Sequence, residues 1–219
     1  MRPVLAGILA EATRASGTNV RLDTTFKTLA NGNDGVVVKF NDGTQATYDL
    51  VVGADGLNSA TRAAEFPDAP KPRYTGQCVW RAVLPRFPDI DRTKMWMGHK
   101  VKAGVNPVSP EQMYLFVTED RPNNDRIDEA RFVDMLKAML AQFSAPTVKA
   151  VRDTLNEASH VVYRPLESML LPRPWYQGRV VLIGDAVHAT TPHLAAGACI
   201  GLEDAIVLAA ELDRAGSID

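Results

Sequence analysis

Two strings in this chain combine small residues, a carboxylate and a strand-to-helix break in a way that could hold a polar ligand. The longer begins Gly178-Arg179-Val180-Val181-Leu182-Ile183-Gly184-Asp185-Ala186-Val187-His188-Ala189. It continues Thr190-Thr191-Pro192-His193-Leu194-Ala195-Ala196-Gly197-Ala198-Cys199-Ile200-Gly201-Leu202-Glu203-Asp204-Ala205. Gly184 closes an apolar run without side-chain bulk, so backbone and ligand can approach closely. Asp185 then offers a carboxylate to ligand hydroxyls. Gly197, Ala198 and Cys199 stand where a helix begins, and the free N–H groups and dipole of a helix start favour an electron-rich ligand. This chemistry is binding and orientation.

The second string is Asp49-Leu50-Val51-Val52-Gly53-Ala54-Asp55-Gly56-Leu57-Asn58-Ser59-Ala60-Thr61-Arg62. Taken alone, Asp55-Gly56 after a strand reads as a turn. In a sheet flanked by helices, the same aspartate lies at the carboxyl edge, where ligands bind. Ser59 is a candidate N-cap for a short helix. Two histidines could act through their side chains. His188 lies so close to a buried strand end that packing or hydrogen bonding is the simpler reading, whereas His193, directly after Pro192, is a candidate to face a substrate, against a plain surface loop. Trp80, Arg81, Met95, Trp96, Met97 and Tyr114 could line a pocket, but core packing explains the aromatics and methionines equally well. Arg81 could meet a substrate carboxylate or form a surface pair.

The elements that position these residues follow from periodicity. Val4, Leu5, Ile8, Leu9 and Ala12 share one face of a helix that Pro3 suits at its first turn and Gly17 ends. A buried strand is expected at 19–22. Strands at 26–29, 36–40 and 45–48, separated by Asp-Gly turns, form an antiparallel meander. A short strand covers 49–52. Twelve of the fourteen prolines lie between 67 and 174. That interval reads as a second domain, with strands at 77–84 and 112–118 and helices near 128–143 and 147–155. A strand at 179–183, a loop at 186–194 and a helix from about 198 to 212 complete the chain, with Ile200, Ala205, Val207, Leu208 and Leu212 on its buried side.

Composition narrows the function classes. With 219 residues and a net charge of -2, the chain can bury a sizeable core and has no basic patch for nucleic acid or an anionic membrane. No apolar run approaches the roughly 20 residues that cross a bilayer. Cys78 and Cys199 are too few and too far apart for a disulfide framework or a metal site, and read as reduced, mostly buried thiols of a cytoplasmic protein.

Together the two strings resemble the DG and GD motifs of class A FAD-dependent monooxygenases, the family of para-hydroxybenzoate and salicylate hydroxylases. The resemblance implies an α/β fold: a Rossmann-like FAD-binding domain, incomplete at its N-terminus, at 1–66 and 175–219, with an inserted mixed β-sheet substrate domain at 67–174. It implies that Asp185, after Gly184, holds the flavin ribityl chain, and that Pro192, Gly197, Ala198 and Cys199 lie beside the isoalloxazine ring. Asp55, Gly56 and Arg62 match a motif tied to the FAD pyrophosphate region and to use of the nicotinamide donor. Arg2 is similar to an arginine that reaches FAD phosphate. The implied activity uses NADH or NADPH to reduce FAD and molecular oxygen to hydroxylate a small aromatic or heteroaromatic compound. Because the cofactor carries the chemistry, the resemblance implies neither a catalytic side chain nor a metal.

The chain departs from that family at both ends: the opening strand, its glycine turn and the acidic residue for the adenosine ribose are absent, and the chain stops within or just after the GD helix, before the family's carboxy-terminal helices. It has no Gly-x-Gly-x-x-Gly turn to grip the FAD pyrophosphate. The expectation is therefore a truncated fragment, starting at an internal methionine, that binds FAD weakly or not at all by itself and whose unpaired sheet edges favour a homodimer. A related flavin reductase or epoxidase, or an inactive folded scaffold, are the alternative readings.

Overall fold

A computed structural model describes residues 2–216, the Arg2 side chain lying outside the described set along with any role for it at a phosphate. The chain opens with α1 (Arg2–Ala15), β1 (Phe26–Asn31), β2 (Val36–Phe40), β3 (Gln45–Tyr48), β4 (Val51–Gly53) and α2 (Ala60–Glu65). There follow β5 (Arg73–Pro85), β6 (Lys94–Met97), β7 (Val101–Pro107), β8 (Gln112–Asp120), α3 (Phe132–Leu140), α4 (Pro146–Thr154) and β9 (Val162–Ser168). The last elements are β10 (Tyr176–Gln177), β11 (Val180–Leu182), α5 (Asp185–His188) and α6 (Gly197–Ala215). Cα packing divides the chain into two compact units, Met1–Arg73 with Glu167–Asp219, and Tyr74–Leu166.

In the first unit β1, β2 and β3 form the antiparallel meander expected from the Asp-Gly turns. At the second turn Gly43 has φ 86°, and Asp42 accepts the Thr44 N–H at 2.9 Å, so chain reversal needs both residue types. Val36 and Val38 pack with Val180 in a small core. A second sheet has the order β10-β11-β4, with β11 parallel to β4 and Leu182 opposite Gly53. Gly53 is required there, because a Cβ would stand 2.5 Å from Leu182 Cδ2 and 2.8 Å from Thr61 Cγ2.

The second unit is built on a sheet of order β6-β7-β8-β5-β9, in which β6–β7, β7–β8 and β8–β5 pair antiparallel. One face carries Trp80, Leu84, Leu115 and Val117 into a core closed by Leu136 and Leu140 of α3 and Val148 and Val151 of α4. Trp80 meets Phe132 edge-on at 5.3 Å, a pairing worth about 0.5–1.5 kcal/mol beyond its burial. Cys78, Trp80 and Arg121 all donate to Glu119 Oε1. Burial first, and then the Glu119 carboxylate, push the Cys78 thiol up to about 12. Core packing thus accounts for Trp80, and Trp96 packs against the same core.

Four sequence expectations are corrected. Residues 19–22 form no strand, and Leu22 is exposed. Arg21 instead pairs outward with Asp42 at 2.5 Å, and two apolar positions give too little burial to fix a strand. The segment 186–194 is not a plain loop: it holds most of α5 and a 3₁₀ turn at Pro192–Leu194. None of the expected inward residues of α6 is buried, and Cys199 is exposed. Among the described residues no helix is long and apolar enough to cross a membrane.

Candidate functional site

Because β4 and β11 run parallel and in register, both strands release the chain at the same carboxyl edge. Asp55 emerges two positions after Gly53, and Asp185 three after Leu182. Open α/β sheets place ligands at such an edge.

The two carboxylates have different surroundings. Asp55 accepts from the Ser59 hydroxyl, the Thr61 N–H at 2.9 Å and the Thr61 hydroxyl at 3.0 Å. Ser59 in turn caps α2 by accepting the Arg62 N–H at 2.9 Å. Burial raises the Asp55 pKa, but the donors from Ser59 and Thr61 outweigh it and hold the carboxyl below its ordinary 3.8. Gly56 follows at φ 79°, turning the chain toward Ser59. Arg62 is 6% exposed; its Nη1 donates to Ala186 O at 2.8 Å and its Nη2 to Leu57 O at 2.6 Å. Its guanidinium is turned inward and ties the Asp55 loop to α5.

Asp185 is exposed, and among the described residues its carboxylate makes no hydrogen bond or ion pair. The preceding Gly184 has φ 61° and ψ −141°, a backbone that an L side chain rarely adopts. Across from it lies Gly201 of α6, where an added Cβ would make an ordinary 3.6 Å contact with the Gly184 Cα. Asp204, three residues along α6, accepts the Gly184 N–H at 2.7 Å and lies 2.6 Å from His188 Nε2. His188 also packs beside Trp175, ring centroids 5.4 Å apart, in keeping with a hydrogen-bonding and packing role. Sequence reasoning missed Asp204. The available signal was its spacing from Gly201, since residues three apart share a helix face.

Beyond α5, Pro192 starts the 3₁₀ turn, His193 is exposed, and Ala195 takes φ 53° to redirect the chain into α6. Helix α6 has no side-chain cap at its start, where Ala198 and Cys199 are exposed and Gly197 leaves room beside the Thr190 hydroxyl. The first amides of a helix lack intrahelical partners. The edge therefore brings together, within one unit, a solvent-facing carboxylate, a glycine turn braced from beneath, and an uncapped helix start. Arg81 lies elsewhere, on β5 of the second unit.

A family model described as an FAD binding domain matches residues 3–215. The chain belongs to that family. Among curated relatives it is 37% identical, over 193 residues, to 2-heptyl-3-hydroxy-4(1H)-quinolone synthase of Pseudomonas aeruginosa, covering 87% of this chain and 50% of the relative. It is 35% identical to aurachin C monooxygenase/isomerase of Stigmatella aurantiaca, covering 87% of this chain and 49% of the relative. Among solved structures, Klebsiella pneumoniae HpxO complexed with FAD and uric acid superposes with a TM-score of 0.80 at 28% identity, over 94% of this chain and 53% of HpxO. The chain thus spans about half the length of the curated relatives it matches.

Proposed function

We propose that this chain supplies the ribityl- and ring-side part of the flavin site, together with a substrate sheet, for an FAD- and NAD(P)H-dependent monooxygenase acting on a small aromatic or heteroaromatic compound. The observation that carries the reading is the braced Gly184-Asp185 turn, with Asp185 facing solvent beside the uncapped α6. A flavin fits this edge. Its ribityl hydroxyls suit the unpaired Asp185 carboxylate, and its electron-rich ring suits the amides of Gly197, Ala198 and Cys199. Pro192 and the glycine-lined strand–helix contact allow close approach.

When bound, the flavin supplies electron transfer from a nicotinamide and activation of oxygen. The residues of this chain bind and orient. Asp185 fixes the hydroxylated chain, and Asp204 and His188 hold the turn that presents it. Asp55 and Gly56 shape the neighbouring loop, and Arg62 supports the edge from beneath. His193 and Arg81 are the side chains assigned to the substrate.

Titration with riboflavin, FAD and ADP, followed by flavin fluorescence and calorimetry, tests the reading. Riboflavin and FAD are expected to bind with similar, modest affinity, and ADP not at all, because the chain lacks the glycine turn that grips pyrophosphate. Asp185→Ala should weaken riboflavin about tenfold, the loss of roughly 1.4 kcal/mol expected for a charge-assisted hydrogen bond. Equal binding by the variant, or binding driven by the ADP portion, would falsify it. A second reading, a folded scaffold without tight FAD binding, draws support from the exposed apolar residues Val4, Leu5 and Ile8 of α1 and Ile206 and Val207 of α6. Absence of riboflavin binding would favour it.

A further inference from the structure

Asn31 is the only asparagine in the sequence that precedes a glycine. The pair closes β1 and opens the turn to β2, and neither the flavin edge nor the substrate sheet uses it. An Asn-Gly pair has a chemistry of its own. Glycine lacks the Cβ that would shield its nitrogen, so that nitrogen can reach the asparagine side chain. The Gly32 nitrogen attacks Asn31 Cγ, an N–C bond forms, the Cγ–Nδ2 bond breaks, and ammonia leaves with the displaced proton. Water then opens the cyclic imide to aspartate or isoaspartate, and no oxidant or reductant takes part.

The fold holds the reacting groups back. Asn31 Nδ2 donates to Gln177 O at 2.6 Å and to Glu65 Oε2 at 3.0 Å, while its Oδ1 accepts the Arg179 N–H at 3.1 Å. The Gly32 N–H donates to Gly35 O at 3.0 Å. One side chain thus clasps the end of the meander to α2 and to the turn between β10 and β11. That turn is shaped to receive it: Gly178 has φ 52°, and a Cβ there would stand 2.8 Å from Asn31 Oδ1. The clasp needs a donor as well as an acceptor. A carboxylate at position 31 could still accept from Arg179, but its other oxygen would face the Gln177 carbonyl and the Glu65 carboxylate, acceptor against acceptor.

We propose that Asn31 is a self-modification site: opening of the clasp frees its side chain for attack by Gly32, and the product cannot close the clasp again. The change is one-way. It releases the turn that starts β11, the strand leading to Gly184 and Asp185. It needs no flavin and is independent of the monooxygenase reading.

The 219-residue chain is aged at mildly alkaline pH, in buffer and in urea, and amide-to-acid conversion at each asparagine is followed by peptide mass analysis. In urea Asn31 is expected to convert faster than Asn33 or Asn41, and Gly32→Ala should remove that lead. In buffer the Asn31 rate should fall about tenfold or more, because the clasp must open before attack. Glu65→Ala takes away one partner and should raise the rate in buffer about fivefold, the effect of one lost hydrogen bond. Asn31→Asp should lower the melting temperature by about 4 °C. Should that variant not fold, the aged wild-type chain replaces it, its converted fraction melting below the unconverted one. The proposal is overturned by an Asn31 that converts no faster than Asn33 in urea, or by equal Asn31 rates in buffer and urea. A Glu65→Ala chain with the wild-type rate, or a converted chain that melts with the wild type, overturns it equally.

Discussion

Three aspartates illustrate how one side chain takes different work from its surroundings. Asp55 is ringed by Ser59 and Thr61, Asp204 receives Gly184 N–H and faces His188, and Asp185 faces solvent. The first and third are visible in the sequence because each follows an apolar strand and a glycine. Asp204 is not, because it lies mid-helix and its partners are sixteen and twenty positions away. The surroundings of Asp55 carry a prediction about pH. Its folded pKa lies below the ordinary 3.8, so its contribution to stability is present above that value and is lost as pH falls through the folded value. Asp55→Asn should therefore destabilise the chain at pH 7, with the gap from wild type shrinking toward pH 3. Urea unfolding at a series of pH values measures this; a gap that stays constant with pH would show that the charge contributes nothing.

Element boundaries depend on how strongly local chemistry agrees with packing. The meander is legible because Asp-Gly turns and β-branched alternation point the same way, and the observed strands overlap the expected ones closely. The assignment at 19–22 fails because two apolar residues in a short run carry no tertiary partner. The face of α6 is not legible for a related reason: helical periodicity identifies a stripe but not whether anything covers it. The strand–helix crossing at Gly184 and Gly201 yields a paired prediction. Gly184 needs its positive φ, so Gly184→Ala should cost about 1–3 kcal/mol of stability. Gly201 is a helical glycine whose added Cβ would make an ordinary 3.6 Å contact, so Gly201→Ala should be neutral or stabilising by up to about 1 kcal/mol. Denaturant midpoints for the two variants check the contrast. Equal destabilisation would mean that the crossing, not the backbone angle, fixes both glycines.

At the scale of the whole molecule, the two units differ in how completely they bury their apolar residues. The second closes nineteen buried residues into one core on a single sheet face. The first has two small clusters, around Leu182 and around Val36, and leaves large side chains on α1 and α6 in solvent, with Ile8 58% and Ile206 70% exposed. Strand β4 pairs only with β11 among the described residues, and Val52 on it is exposed. Contiguous apolar surface on a helix and an open strand edge are each docking surfaces by their physical chemistry. A net charge of -2 supplies little long-range repulsion to oppose association. The chain is therefore expected to self-associate, with sedimentation coefficients that rise with concentration across the micromolar range. Ile8→Glu combined with Ile206→Glu places a charge on each helix without touching either core, and should return the sedimentation profile to that of a monomer while leaving the melting behaviour of the second unit unchanged. If the wild-type chain already sediments as a monomer throughout that range, the open helix faces are not adhesive in water, and the uncovered edge would have to be explained by solvation of the polar residues between the apolar ones.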